Sequence, residues 1–233
     1  MDTEIGEFVV IEAHAKIAAG CKIGHHVVIH QGTVIGANTV ISDHAVLGKS
    51  PQLAKSSTTL LKKLEPLQIG ANCQVGTGAI VYAGTIIGND TMIADLASVR
   101  ENCRIGRGVL IGRGVAVENN TSIGDHTKIQ TNAYITADMT LEDHVFIAPM
   151  VTTTNDNFMG RTEKRFALKK GATIKHGARV GGNAILLPGI TVGEESFIAA
   201  GSIVTKDTPP RQVMKGVPAK PVRPVPDEEL LTD

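Results

Sequence analysis

Tryptophan is absent, and aromatic residues make up only 3% of the 233-residue chain, with two Tyr and five Phe. An interior built without large rings is narrow and filled by aliphatic side chains. Net charge is also missing, because 23 Lys and Arg balance 23 Asp and Glu. That balance leaves no basic excess to hold nucleic acid and no polybasic run for a membrane surface. No apolar stretch approaches the roughly 20 residues that cross a bilayer. No signal-peptide pattern precedes the first ordered segment, so a cytoplasmic location is expected. Cysteine is scarce: Cys21, Cys73 and Cys103 are too few for a disulfide framework. Each occupies a slot otherwise given to small residues, which predicts packed thiols, not nucleophiles.

What the chain does have is a period of six. Ile, Val or Leu returns at Ile5 and every sixth residue to Leu47, from Ile69 to Ile147, and from Ile174 to Val204. Neither a helix nor a single strand has that period, whereas a β-solenoid of hexapeptide units does. Taking the aliphatic residue as position one, position five is small or β-branched, as in Thr39, Ala79 and Cys103. Position two is often Gly, and positions three and four carry turn formers such as Asn89-Asp90 and Asn119-Asn120. Each hexad therefore predicts one short strand and one corner, and three hexads close a triangular coil. About nine such coils are expected, a parallel all-β rod on the order of 40 Å long at strand spacing.

The register breaks twice, at 48–68 and 153–173, and such excursions from a regular scaffold are candidate functional loops. The solenoid is expected to occupy residues 1–208, with 209–233 as a Pro-rich tail that covers the last coil and ends in a short helix near Asp227 to Leu231.

Hexads of the form Ile-Gly-x-Asn-Thr-x resemble the hexapeptide-repeat transferases, which implies a left-handed parallel β-helix. A closer resemblance rests on Ile129-Gln130-Thr131-Asn132, Leu141-Glu142-Asp143-His144-Val145-Phe146-Ile147-Ala148-Pro149, Thr154-Asn155-Asp156, Ala200-Gly201-Ser202-Ile203-Val204 and Gly216-Val217-Pro218-Ala219-Lys220. Over roughly residues 129 to 220 these runs are similar to bacterial nucleotide-sugar N-acyltransferases. The resemblance implies acyl transfer from acyl-CoA (acetyl-CoA or a longer thioester) to the amino group of a dTDP- or UDP-linked deoxyamino sugar. It also implies a homotrimer with active sites between subunits and no metal. Two departures are Thr131, where the family often has Asn, and Ala137, where it often has Glu.

Eighteen-residue stacking puts Arg100, Glu118, Thr136 and Thr154 in one column, and Asp95, Arg113, Thr131 and Pro149 in a neighbouring one. Both columns are expected to converge near Asn155 and Asp156. Asp95, Glu118 and His144 are the catalytic candidates, as acids and bases able to manage the amine proton. Gln130, Asn132, Thr154, Asn155 and Asp156 are candidates for holding the sugar. The resemblance places the CoA arm along Gly182, Asn183, Ala200 and Gly201, with Lys206 and Lys215 for its phosphates. Sugar O-acylation, acylation of another small amine and, more distantly, a zinc carbonic anhydrase using His25 and His30 are the alternatives.

Overall fold

The computed structural model describes residues 2–55 and 63–232, so the 56–62 part of the first excursion lies outside the described residues. The chain winds as a parallel β-helix of triangular section. Nearly all its strands are two residues long, for example Glu4–Ile5, Val10–Ile11 and Lys16–Ile17. Each continues upward on its own face, Glu4–Ile5 against Lys22–Ile23 and then Val40–Ile41. The three faces hold eleven, ten and nine parallel strands, the first count excluding one antiparallel strand at its end. The rod is thus longer than the nine coils expected.

The two residues of a strand point to opposite sides. The aliphatic residue of the hexad is buried and its predecessor faces out, as in Met92–Ile93 and Lys128–Ile129. Position five also points inward, and most of its polar members are satisfied by the coil above, the Thr33 hydroxyl being an exception. The hydroxyl of Thr85 donates to the Arg100 carbonyl at 2.7 Å, and that of Thr91 to the Gly106 carbonyl at 2.9 Å. The thiols of Cys21, Cys73 and Cys103 take the same place, with sulfur at 3.2 to 3.3 Å from Gly36, Gly88 and Glu118 carbonyls. Burial pushes the Cys103 thiol up to about 12.

The corners explain the turn-forming residues. Position four is left-handed throughout, as at Asn120 (φ 57), His126 (φ 57) and His144 (φ 59). Five of the eight histidines, His14, His26, His44, His126 and His144, are such corner residues. Position three often carries Asp or Asn, whose side chain accepts an N–H from the coil below. Asp43 caps His25, Asn89 caps Ala71, Asp125 caps Arg107 and Asp143 caps Asp125, at 2.7 to 2.9 Å. Gly at position two makes room for this cap: a Cβ on Gly76 would meet the backbone N of Asp95 at 2.4 Å.

The ends differ. The first described coil leaves Ile5 and Val10 about half exposed and Ile11 41% exposed. At the other end the tail does not begin at 209. Gln212–Gly216 adds an eleventh parallel strand to the first face, with Met214 buried, and Ala219–Pro224 then folds back antiparallel over it. The expected short helix is a single 3-10 turn at Asp227–Glu229.

Candidate functional site

Both excursions leave the prism at one corner, between the second and third faces. The chain departs after Val46–Lys49 and after Thr152–Thr153, and returns at Gln68–Ile69 and Thr173–Ile174. Between them this second corner carries the densest polar cluster of the rod. Arg100 donates from Nε and Nη2 to the two carboxylate oxygens of Glu101, at 2.7 and 3.0 Å. Its Nη1 lies 3.5 Å from Glu118, and its guanidinium sits over the Tyr82 ring at 5.1 Å. The Glu101 bond, ahead of the charges of Glu101 and Glu118, pushes the Arg100 pKa up. Burial, then the Glu118 charge, pushes the Tyr134 phenol up one rung above.

Stacking continues to the second excursion. The Thr136 N–H donates to the Thr153 hydroxyl at 2.8 Å, and the Thr154 hydroxyl to the Leu186 carbonyl at 3.1 Å. Asn155 donates to the Ala137 carbonyl at 3.2 Å. Asp156 organises the loop itself: it accepts the N–H of Phe158 at 2.8 Å, that of Gly160 at 3.0 Å, and Nη1 of Arg165 at 3.1 Å. The Gly160 and Phe158 amides, then Arg165, hold the Asp156 carboxyl below its ordinary 3.8. Four-residue helix Arg165–Leu168 follows.

The stacking columns form as expected, but they do not converge. Asp95, Gln130 and Asn132 stand on the first corner, between the first and second faces; Glu118, Thr154, Asn155 and Asp156 stand on the second; His144 stands on the third. One prism face, roughly 15 Å at about 3.3 Å per residue, separates neighbouring corners. Asp95 is a fifth corner cap, accepting the Thr77 N–H at 2.8 Å in the manner of Asp43 and Asp125. His144 is stacked on His126 at 5.1 Å and lies edge-on to His176 at 5.5 Å. Gly182, Asn183, Ala200 and Gly201 line the upper first corner, where a Cβ on Gly201 would meet nothing within 4 Å. Lys206 follows the last strand of the second face, Ile203–Val204, whereas Lys215 lies in Gln212–Gly216 on the first face.

The residue that the sequence did not single out is Glu101. It is buried at 8% exposure and grips Arg100 more closely than Glu118 does. The Arg100-Glu101 dipeptide was its only signal.

His25 and His30 do not meet. His25 is on the first corner, where its Nδ1 accepts the Glu7 N–H at 3.0 Å. His30 is on the second, 3.1 Å from Glu12, and lines a cavity of about 530 Å³ beneath the first excursion. Among the described residues no group of three or more His, Cys, Asp or Glu of one chain converges to hold a metal. No described helix is long and apolar enough to cross a membrane.

Residues 98–137 and 172–206 match the family model for the hexapeptide repeat of succinyl-transferase, and residues 5–103 match that for the GMPPB C-terminal domain. The chain is 38% identical to the galactoside O-acetyltransferase of Escherichia coli over 97 residues, 39% of this chain and 46% of that protein. It thus spans less than half of that curated relative. Arabidopsis UDP-N-acetylglucosamine acyltransferase superposes on 96% of this chain and 71% of its own, with a TM-score of 0.60 at 18% identity, a likeness of fold. GDP-perosamine N-acetyltransferase from Caulobacter crescentus, solved with CoA and GDP-perosamine, aligns over 57% of this chain and 56% of its own, with a TM-score of 0.49 at 28% identity.

Proposed function

We propose that this hexapeptide-repeat β-helix is an acyl-CoA-dependent N-acyltransferase that acylates the amino group of a nucleotide-linked deoxyamino sugar. The single observation that carries the choice of an amine is the composition of the second corner. Around the second excursion it offers Arg100, Glu101, Glu118, Tyr82 and Tyr134, and no histidine among the described residues from the fourth coil upward. A hydroxyl acceptor needs a general base in the attack, and histidine is the usual one. A neutral amine is already a nucleophile and needs only an acceptor for the proton it sheds. Glu118 can take that proton, as can the departing CoA thiolate.

In this reading Asp156 shapes the loop that covers the sugar, while Thr154 and Asn155 line its base. Gln130 and Asn132 stand on another corner, so they reach the same sugar only across an interface between copies. The reading therefore requires a homotrimer with shared sites. The unobstructed corner at Gly201 suits the pantetheine arm, with Lys206 and Lys215 left for phosphate. O-acylation is the second reading, favoured by the match to a galactoside O-acetyltransferase.

Thiol release from acetyl-CoA, measured against dTDP- and UDP-linked 3-amino and 4-amino sugars and their hydroxy parents, tests the proposal. Turnover with an amino sugar alone supports it. Turnover with the hydroxy parents moves the assignment to O-acylation, and no CoA binding at all removes it.

A further inference from the structure

The third corner carries a concavity that the proposed acyl-transfer site does not use. A cavity of about 260 Å³ opens there between His126, His144, Lys128, Arg179, Glu195 and Glu229. Arg179 is its distinctive group. Its Nη1 donates to Glu229 at 2.9 Å, and its guanidinium lies over the Phe197 ring at 5.0 Å. Its Nε and Nη2 are buried and meet no acceptor among the described residues.

Those two nitrogens are the parallel pair with which a guanidinium grips an oxyanion side-on. The same chain shows that pair in use at Arg100, where Nε and Nη2 take both oxygens of Glu101. A buried donor without an acceptor costs about 1–3 kcal/mol, more when charged, so such a pair calls for an occupant. The surrounding charges define it. Lys128 and Arg179 oppose Glu195 and Glu229, and Glu195 is already engaged by the Leu231 N–H at 2.9 Å. Glu229 has a single bond to Arg179, from a side chain that is 39% exposed. If Glu229 swings away, the cavity holds one net positive charge and the whole charge of the Arg179 guanidinium is available to a ligand.

We propose that this cavity binds a small oxyanion, a carboxylate or a phosphate, on the Nε–Nη2 edge of Arg179. Glu229 holds Nη1 of the same guanidinium, so it competes with the anion for the Arg179 charge. Lys128 and the stacked rings of His126 and His144 form the remaining wall. His144 thereby acquires a place in anion binding, not in proton transfer, and the site stands whether or not the acyl-transfer reading holds.

Isothermal titration of the full chain with inorganic phosphate and, separately, succinate tests this at fixed pH and ionic strength, with the ring-proton resonances of His126 and His144 followed in parallel. The preferred probe identifies the anion class. Glu229→Gln is expected to tighten binding about 10-fold, and Arg179→Lys, which loses the fork, to weaken it at least about 10-fold. Absence of binding to wild type and Glu229→Gln at tens of millimolar overturns the proposal. So does undiminished binding by Arg179→Lys, or binding that leaves both histidine resonances unmoved. Should Arg179→Lys not fold, Glu229→Gln and the histidine resonances decide.

Discussion

Two carboxylates that look alike in the sequence separate by what their oxygens touch. One oxygen of Asp95 accepts the Thr77 N–H, and Asn presents the same oxygen. Asp95→Asn is therefore expected to leave both stability and turnover within about twofold, as an isosteric acceptor would. Glu118→Gln keeps the fold but removes the proton acceptor at the second corner, and kcat is expected to fall about 100-fold or more in the thiol-release assay. Equal effects of the two substitutions would undo this separation. The thiols give a second residue-scale outcome. Cys103 is fully buried with its pKa pushed up to about 12, and Cys73 is raised by burial as well. Neither is a thiolate at neutral pH. A disulfide reagent such as DTNB should titrate no thiol rapidly in the native chain and three after denaturation.

At the scale of an element, the second excursion is held by one side chain. The Asp156 carboxyl is depressed by the Gly160 and Phe158 amides and by Arg165, so the order it contributes is present above its ordinary 3.8 and is lost as pH falls through the lowered value. Protection of the Phe158 and Gly160 amides, taken relative to intrinsic exchange at each pH, should be present at neutral pH, absent in Asp156→Ala, and lost in wild type only below the ordinary carboxyl value of 3.8. Protection that survives Asp156→Ala would assign the loop's order to something else. The coil-to-coil corner has its own critical position. Gly76→Ala drives a Cβ to 2.4 Å from the Asp95 backbone nitrogen, where no flexible chain can give way. It should destabilise by about 1–3 kcal/mol, measured by urea denaturation.

Across the whole molecule, stability is a sum over neighbouring coils. Ile111, fully buried in mid-stack, should lose about 2–5 kcal/mol on truncation to Ala, whereas Ile5, 53% exposed on the first coil, should lose less than about 1. Most of this architecture was legible because a period of six admits few other folds. The inward aliphatic residue, the small fifth position and the left-handed fourth were readable from residues such as Ile93, Ala97 and Asn102, whereas Leu96 is left-handed with no turn-forming side chain to announce it. The last rung was not, because Pro209 and Pro210 break the register and Met214 pairs with Ile198 sixteen residues back instead of eighteen. The site was legible as columns but not as a cluster. Stacking arithmetic fixes height along the rod, but adjacent corners lie a full face apart, so Asp95, Glu118 and His144 cannot meet within one chain. His144 was a catalytic candidate by residue type, and the structure places it at a left-handed corner, stacked on His126.

The unequal ends described above have a consequence best put as polymer growth. A stack of parallel rungs is its own template, and any exposed last rung invites another chain to add. Here Ala219–Pro224 lies antiparallel across the eleventh strand of the first face, with Pro221 and Pro224 in the covering strand, so it acts as a chain terminator for that face. On that face, end-to-end growth by adding one more parallel rung has no propagation step.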